Sequence, residues 1–172
     1  MLIAISGAVT VADSTSVPRV DVTESGGTYH VTAAFAVGAS PQVVMAVLTD
    51  YERIPTYVPD MEISRVVERT IGGAVVEQQA VSRFMLFSRR VHLLLEVHED
   101  DGQLRFRDRC GKSFAVYDGS WTVSEHDSLT VVDYRLNARP MFEVPAFVLK
   151  RLLKRDAALL IDRITNEIAA HD

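Results

Sequence analysis

The chain has 172 residues, 48% of them hydrophobic and 24% charged, which excludes the disordered and fibrous classes and fits a single globular domain. Lys and Arg number 18 against 23 Asp and Glu, and the resulting net charge of −5 argues against a protein devoted to neutralising nucleic-acid phosphates. The single cysteine, Cys110, excludes an intramolecular disulfide, and no run of about 20 apolar residues is present to span a membrane as a helix.

Residues 1–16 are expected to form a flexible N-terminus. Met1 to Ala12 is apolar and ends in small residues, as the remnant of an export signal would, but no Lys or Arg precedes the apolar run. The first expectation is therefore a cytoplasmic protein; a periplasmic or exported one is the alternative if the segment is a truncated signal. Residues 17–172 are expected to make one domain.

Val20 to Thr23 and Tyr29 to Val37 flank Ser25-Gly26-Gly27, a hairpin signal. Ser40-Pro41 then starts a helix, since Ser can cap free N–H groups and Pro at the first helical position sacrifices no hydrogen bond. The helix is predicted from Pro41 to about Asp50, with Val43, Val44, Val47 and Leu48 buried. Pro55 and Pro59 restrict the continuation to a short helix near Tyr51 to Tyr57.

Six further strands follow, each bounded by a breaker: Met61 to Thr70, Ala74 to Met85, Arg90 to His98, Gln103 to Arg109, Phe114 to Ser124 and Leu129 to Ala138. Short connections predict antiparallel neighbours. From Pro145 to Ala170 the period changes. Val148, Leu149, Leu152, Leu153, Ala157, Leu160, Ile161, Ile164 and Ile168 recur at three and four, one stripe on a helix about 39 Å long. The stripe needs an apolar partner. The predicted class is α+β: a curved antiparallel sheet of about seven strands wrapped around a long C-terminal helix, with two short helices after the first strand.

A sheet curved enough to embrace one helix encloses more volume than the helix fills, which predicts a cavity. Alternation turns Leu93 and Leu95, Phe106, Tyr117 and Trp121, and Tyr134 and Leu136 to one face of their strands. With Phe147 and Leu153 of the helix, these are the ligand-binding candidates. An apolar pocket with one Trp and two Tyr hydroxyls fits a flat or elongated hydrophobic ligand, although core packing with paired hydroxyls would place the same residues inward.

Other groups carry weaker chemistry. His92 and His98 lie about 20 Å apart along one strand, so with Glu96 they cannot share a metal; a solvated outer face is expected. Cys110 reads as a structural thiol and Ser120 as a strand interior, without the strand-turn-helix setting of a nucleophile. Arg83, Arg105, Arg107 and Arg109 form an alternating row expected to be solvated and to discourage edge pairing. Lys150, Arg151, Lys154 and Arg155 give the helix start a cationic side, a candidate for transient contact with anionic lipid headgroups or simply a soluble helix face. No catalytic residue, metal ligand or cofactor is assigned.

The run from Ser40-Pro41 through Asp50-Tyr51, Pro55, Tyr57 and Pro59, then Ser64 to Glu68, resembles the helix, Asp-Tyr turn and first long strand of the polyketide cyclase/dehydrase and coenzyme Q-binding group within the START-like helix-grip superfamily. Asp118-Gly119-Ser120-Trp121, the Tyr134 strand and Pro140 to Pro145 before the last helix extend the likeness over roughly Tyr29 to Ala170. The resemblance implies a START-like fold and a hydrophobic small-molecule partner such as a lipid, isoprenoid quinone or polyketide. It leaves open a binding or transport protein, a polyketide aromatase/cyclase or dehydratase, and a ribosome- or protein-interaction module. No nucleic acid is expected, and a monomer or weak dimer is.

Overall fold

The structure, a computed structural model, describes residues 18–84 and 87–171, and of Phe84 and Phe87 the backbone alone. The reading of residues 1–16 lies outside the described residues.

The chain begins with a hairpin of β1 (Arg19–Ser25) and β2 (Thr28–Val37). Its two-residue turn uses Gly26 and Gly27 at φ +58° and +78°, the left-handed pair that matches the twist of antiparallel strands. Helix α1 (Pro41–Thr49) starts as predicted: the Ser40 hydroxyl accepts from the Val43 N–H at 3.4 Å, and Pro41 occupies the first turn. Val44, Val47 and Leu48 are buried. A 3-10 turn (Tyr51–Arg53) runs into the four-residue helix α2 (Ile54–Tyr57), after which Pro59 ends helical structure.

Six strands follow: β3 (Met61–Thr70), β4 (Gly73–Phe84), β5 (Phe87–Asp100), β6 (Gln103–Asp108), β7 (Phe114–His126) and β8 (Leu129–Pro140). All eight strands join one antiparallel sheet in the order β1-β2-β8-β7-β6-β5-β4-β3. The β2–β8 pairing, with Val31 opposite Leu136, carries the N-terminal hairpin onto the last strand. The arginines of β6 therefore sit in an interior strand, so a role in blocking edge pairing is corrected.

Helix α3 (Ala146–Ala169) closes the fold, 24 residues and about 36 Å long. It packs against β1 and β2 on one wing of the sheet and β4 on the other, which is possible because the sheet curls around it. Ile161, Ile164 and Ile168 are at most 4% exposed and anchor the stripe; Leu152, Leu153 and Leu160 are half-buried. Facing them are Val31, Val76, Leu95, Val132 and Leu136, all from strand positions with inward alternation.

Candidate functional site

The concave sheet and α3 do not fill one another. Between them lies a cavity of about 140 Å³, close to the size of an interior cavity that admits a benzene ring. The sheet contributes Val76 and Gln78 of β4, Leu95 and Val97 of β5, Leu104 and Phe106 of β6, Tyr117 and Trp121 of β7, and Tyr134 of β8. Leu160 and Ile164 come from α3, and Leu48, Tyr51, Ile54, Tyr57 and Met61 from the segment between α1 and β3.

Five of the nine residues anticipated from alternation meet here: Leu95, Phe106, Tyr117, Trp121 and Tyr134. Leu93 and Leu136 are buried core residues that do not line the cavity, and Leu153 is half-buried against the core. Phe147 is a correction. It is 67% exposed, because it immediately precedes the buried pair Val148 and Leu149 and a helix turns about 100° per residue. Sequence reading missed the contribution of α2, whose single turn has no periodicity to read, and of Gln78, a polar residue two positions after inward-facing Val76.

Aromatic contacts organise the wall. Trp121 and Tyr134 are directly opposed across β7 and β8, with ring centroids 4.3 Å apart, and Tyr117 packs on Phe114 at 4.9 Å. Burial pushes the Tyr117 phenol up to about 12, with Asp108 and Asp156 adding to the effect. Burial also raises Tyr134 well above its ordinary value, with a further contribution from Tyr117. Both phenols are thus neutral hydrogen-bond donors at physiological pH. Neither hydroxyl, nor the Trp121 indole N–H, is hydrogen-bonded to another described residue. Tyr51 differs: its hydroxyl donates to Glu99 Oε1 at 2.6 Å, and burial together with that carboxylate raises its ionisation further.

A second cleft separates α1 from the end of α3, and Tyr57 lines both spaces. Arg53, just before α2, bridges Asp50 at 3.6 Å and Glu167 on α3. Burial and then the Glu167 and Asp50 carboxylates push the Tyr57 phenol up to about 12. The Arg53–Glu167 pair ties the segment that walls one end of the cavity to the long helix.

The remaining candidates are dispersed. Lys150, Arg151 and Lys154 are exposed and form no ion pair with another described residue. Arg155 leaves that group: half-buried, it donates to Asp156 Oδ1 from Nε and Nη2 at 3.0 and 2.7 Å, while Asp156 also accepts from Ser82. His92 Nε2 lies 3.4 Å from Glu77, whereas His98 Nε2 lies 3.7 Å from Glu96. Arg83 pairs with Asp60, Arg105 with Asp100, and Arg107 and Arg109 with Glu96. Ser120 sits inside β7 opposite Arg135. The half-buried Cys110 thiol donates to Asp108 Oδ1 at 3.3 Å, a contact within its own turn.

Known proteins share this architecture. The family described as polyketide cyclase / dehydrase and lipid transport matches residues 37–165. A STAR-related lipid transfer protein from Xanthomonas axonopodis superposes with a TM-score of 0.73 at 15% identity, over 92% of this chain and 97% of that one. A START superfamily protein from Mycobacterium smegmatis gives 0.69 at 14%, over 83% and 99%. The Zhui aromatase/cyclase from Streptomyces sp. R1128 gives 0.71 at 14%, over 83% and 94%. No curated protein matches the sequence. At these identities the solved structures establish the fold, which is START-like, while the family match spans most of the chain: it belongs to the polyketide cyclase/dehydrase and lipid transport family.

Proposed function

We propose that this protein binds a hydrophobic small molecule, of the lipid, isoprenoid quinone or polyketide kind, in the cavity between the sheet and α3. The observation that carries the reading is the cavity itself: an apolar space walled by Leu95, Phe106, Trp121 and Leu160 between the sheet and α3. An aromatic guest offering about 200 Å² of apolar surface would gain about 5 kcal/mol on leaving water, at about 25 cal/mol per Å². Larger guests require the α2 segment to move, and Arg53–Glu167 is the contact that would have to yield.

The related reading, a cyclase or dehydratase, needs a group that takes a proton. The lining offers neutral phenols, an indole N–H and the Gln78 amide, all suited to holding a guest, and no carboxylate or imidazole. That composition favours binding over catalysis. Contact with a membrane surface is a further part of the proposal. Phe147, Lys150, Arg151 and Lys154 recur at i, i+3, i+4 and i+7, placing one exposed aromatic ring and three cations that have no ion-pair partner among the described residues on one side of α3.

Native mass spectrometry of the purified protein, followed by organic extraction, tests the binding reading. Trp121 is the only tryptophan, so its emission reports the cavity directly. A neutral apolar compound that co-purifies, or a saturable change in emission on adding ethylbenzene, is expected. No extracted compound and unchanged emission up to the solubility limit would overturn it.

A further inference from the structure

The cleft between α1 and the end of α3 is larger than the central cavity, about 270 Å³ against 140 Å³. One side of α1 supplies Val43, Ala46, Val47 and Asp50, which follow at i, i+3, i+4 and i+7. Arg53, Tyr57, Glu167 and His171 complete the lining. Three aliphatic side chains and an aromatic ring thus adjoin a charged end.

The charge at that end is set by helix termini. Asp50 caps the C-terminus of α1, and Glu167 lies in the last turn of α3. The C-terminal end of a helix carries partial negative charge, so a carboxylate there stands against the helix dipole and a cation is favoured. Neither last turn contains a Lys or Arg. Arg53 is the one Lys or Arg in the lining, and both carboxylates share it: Asp50 Oδ2 lies 3.6 Å from its Nε, and Glu167 Oε1 accepts from its Nη2. His171 Nδ1 donates to the Glu167 carbonyl oxygen at 2.9 Å. The adjoining Tyr57 phenol registers the imbalance, since each carboxylate raises its ionisation by more than Arg53 lowers it.

We propose that this cleft is a second binding site for a small organic cation of the alkylammonium or arylalkylammonium kind. The ammonium sits between Asp50 and Glu167, and the apolar body lies on Val43, Ala46 and Val47. An anion would meet two carboxylates, and a neutral guest of the same shape would forgo the Coulomb attraction. A bare metal ion fits poorly: among the described residues no three His, Cys, Asp or Glu side chains are grouped as ligands, and the α1 side is largely apolar. The site is separate from the central cavity and does not depend on the guest proposed for it. At partly exposed carboxylates each charge pair is expected to change affinity about fivefold.

The test uses benzylammonium, benzyl alcohol and benzoate, followed by NMR of the methyl-labelled protein at low ionic strength. Benzylammonium should shift the Val43, Ala46 and Val47 methyl signals saturably, at least fivefold tighter than benzyl alcohol, with benzoate weakest. Added NaCl should shrink that advantage. Asp50→Asn, which keeps the Arg53–Glu167 bridge, should weaken benzylammonium about fivefold, and Glu167→Gln should weaken it at least as much. Benzyl alcohol or benzoate binding as tightly as benzylammonium, an Asp50→Asn variant with native affinity, or shifts confined to Leu95 and Leu160 of the central cavity would overturn the proposal. Uptake of apolar guests, read separately through Trp121 emission, stands or falls independently of these outcomes.

Discussion

Gly119→Ala is the most informative single change in the sheet. Gly119 lies on β7 between Phe106 of β6 and Leu136 of β8, on the inward face shared with Tyr117 and Trp121. A methyl group there would stand 2.2 Å from the Arg135 carbonyl oxygen and 2.6 Å from the edge of the Phe106 ring. The ring can swing, but the carbonyl belongs to β8, which is hydrogen-bonded to β2 on one side and β7 on the other. Relief of about 1 Å must come from backbone held by two ladders, so the upper part of the overpacking range applies, about 3 kcal/mol. For a domain of this size that is a fall in Tm of about 6 to 12 °C. Differential scanning calorimetry would measure it, with Ser120→Ala on the opposite face as a control expected to change stability by less than about 0.5 kcal/mol. Displacement of Phe106 should also weaken uptake of apolar guests. A Tm for Gly119→Ala within 2 °C of the native protein would refute the close approach of β7 and β8 on which the cavity wall depends.

Three other outcomes are expected. Ile161→Ala, at a position with no exposed surface, should lower stability by about 2–5 kcal/mol in denaturant titration; a loss below about 1 kcal/mol would mean that α3 presents a different side to the sheet. Burial alone would raise the Asp108 carboxyl, but the N–H groups of Leu94, Cys110 and Gly111 and the Cys110 thiol together hold it below its ordinary value. Its contribution is therefore present above that ordinary value and lost as pH falls through the lower folded one, so Asp108→Asn should cost about 1–2 kcal/mol at pH 7 and progressively less as the pH is lowered into the acid range. All five tyrosines have phenols raised in the folded state, burial being the first cause in each. The unfolded chain ionises near pH 10, so stability should decline as pH rises beyond about 10, with phenolate absorbance growing in step with loss of the fold; full tyrosine titration in a protein that stays folded would contradict this.

The elements were legible because each carries a local signature: paired glycines at a tight turn, Ser-Pro at the start of α1, period-2 alternation along β5 to β8, and a three-four stripe along α3. Such signatures fix which side of an element turns inward. They say nothing about which inward residues pack against one another and which are left beside empty space. Leu93 and Leu95 are indistinguishable by alternation, yet Leu95 lines the cavity and Leu93 does not. Likewise the β2–β8 pairing joins residues about a hundred positions apart, and no short-range pattern encodes it. The α2 segment, which walls one end of the cavity, is too short to show a period, and the Arg53–Glu167 bridge that ties it to α3 spans 114 positions. Phe147 shows the converse: as an aromatic at the head of an amphipathic helix it belongs to the inward set by type, and only the phase of the helix turns it outward.

The central claim is that the space between β4 to β8 and α3 receives an apolar guest. Its most direct test is an NMR measurement of guest-to-protein Overhauser effects, with acetophenone as guest and isotope-labelled protein. Contacts from the guest to the Trp121 ring and to the methyl groups of Leu95, Leu160 and Ile164 are the predicted result. Contacts confined to exposed side chains such as Met141 and Phe147, with none to Trp121 or Ile164, would contradict it.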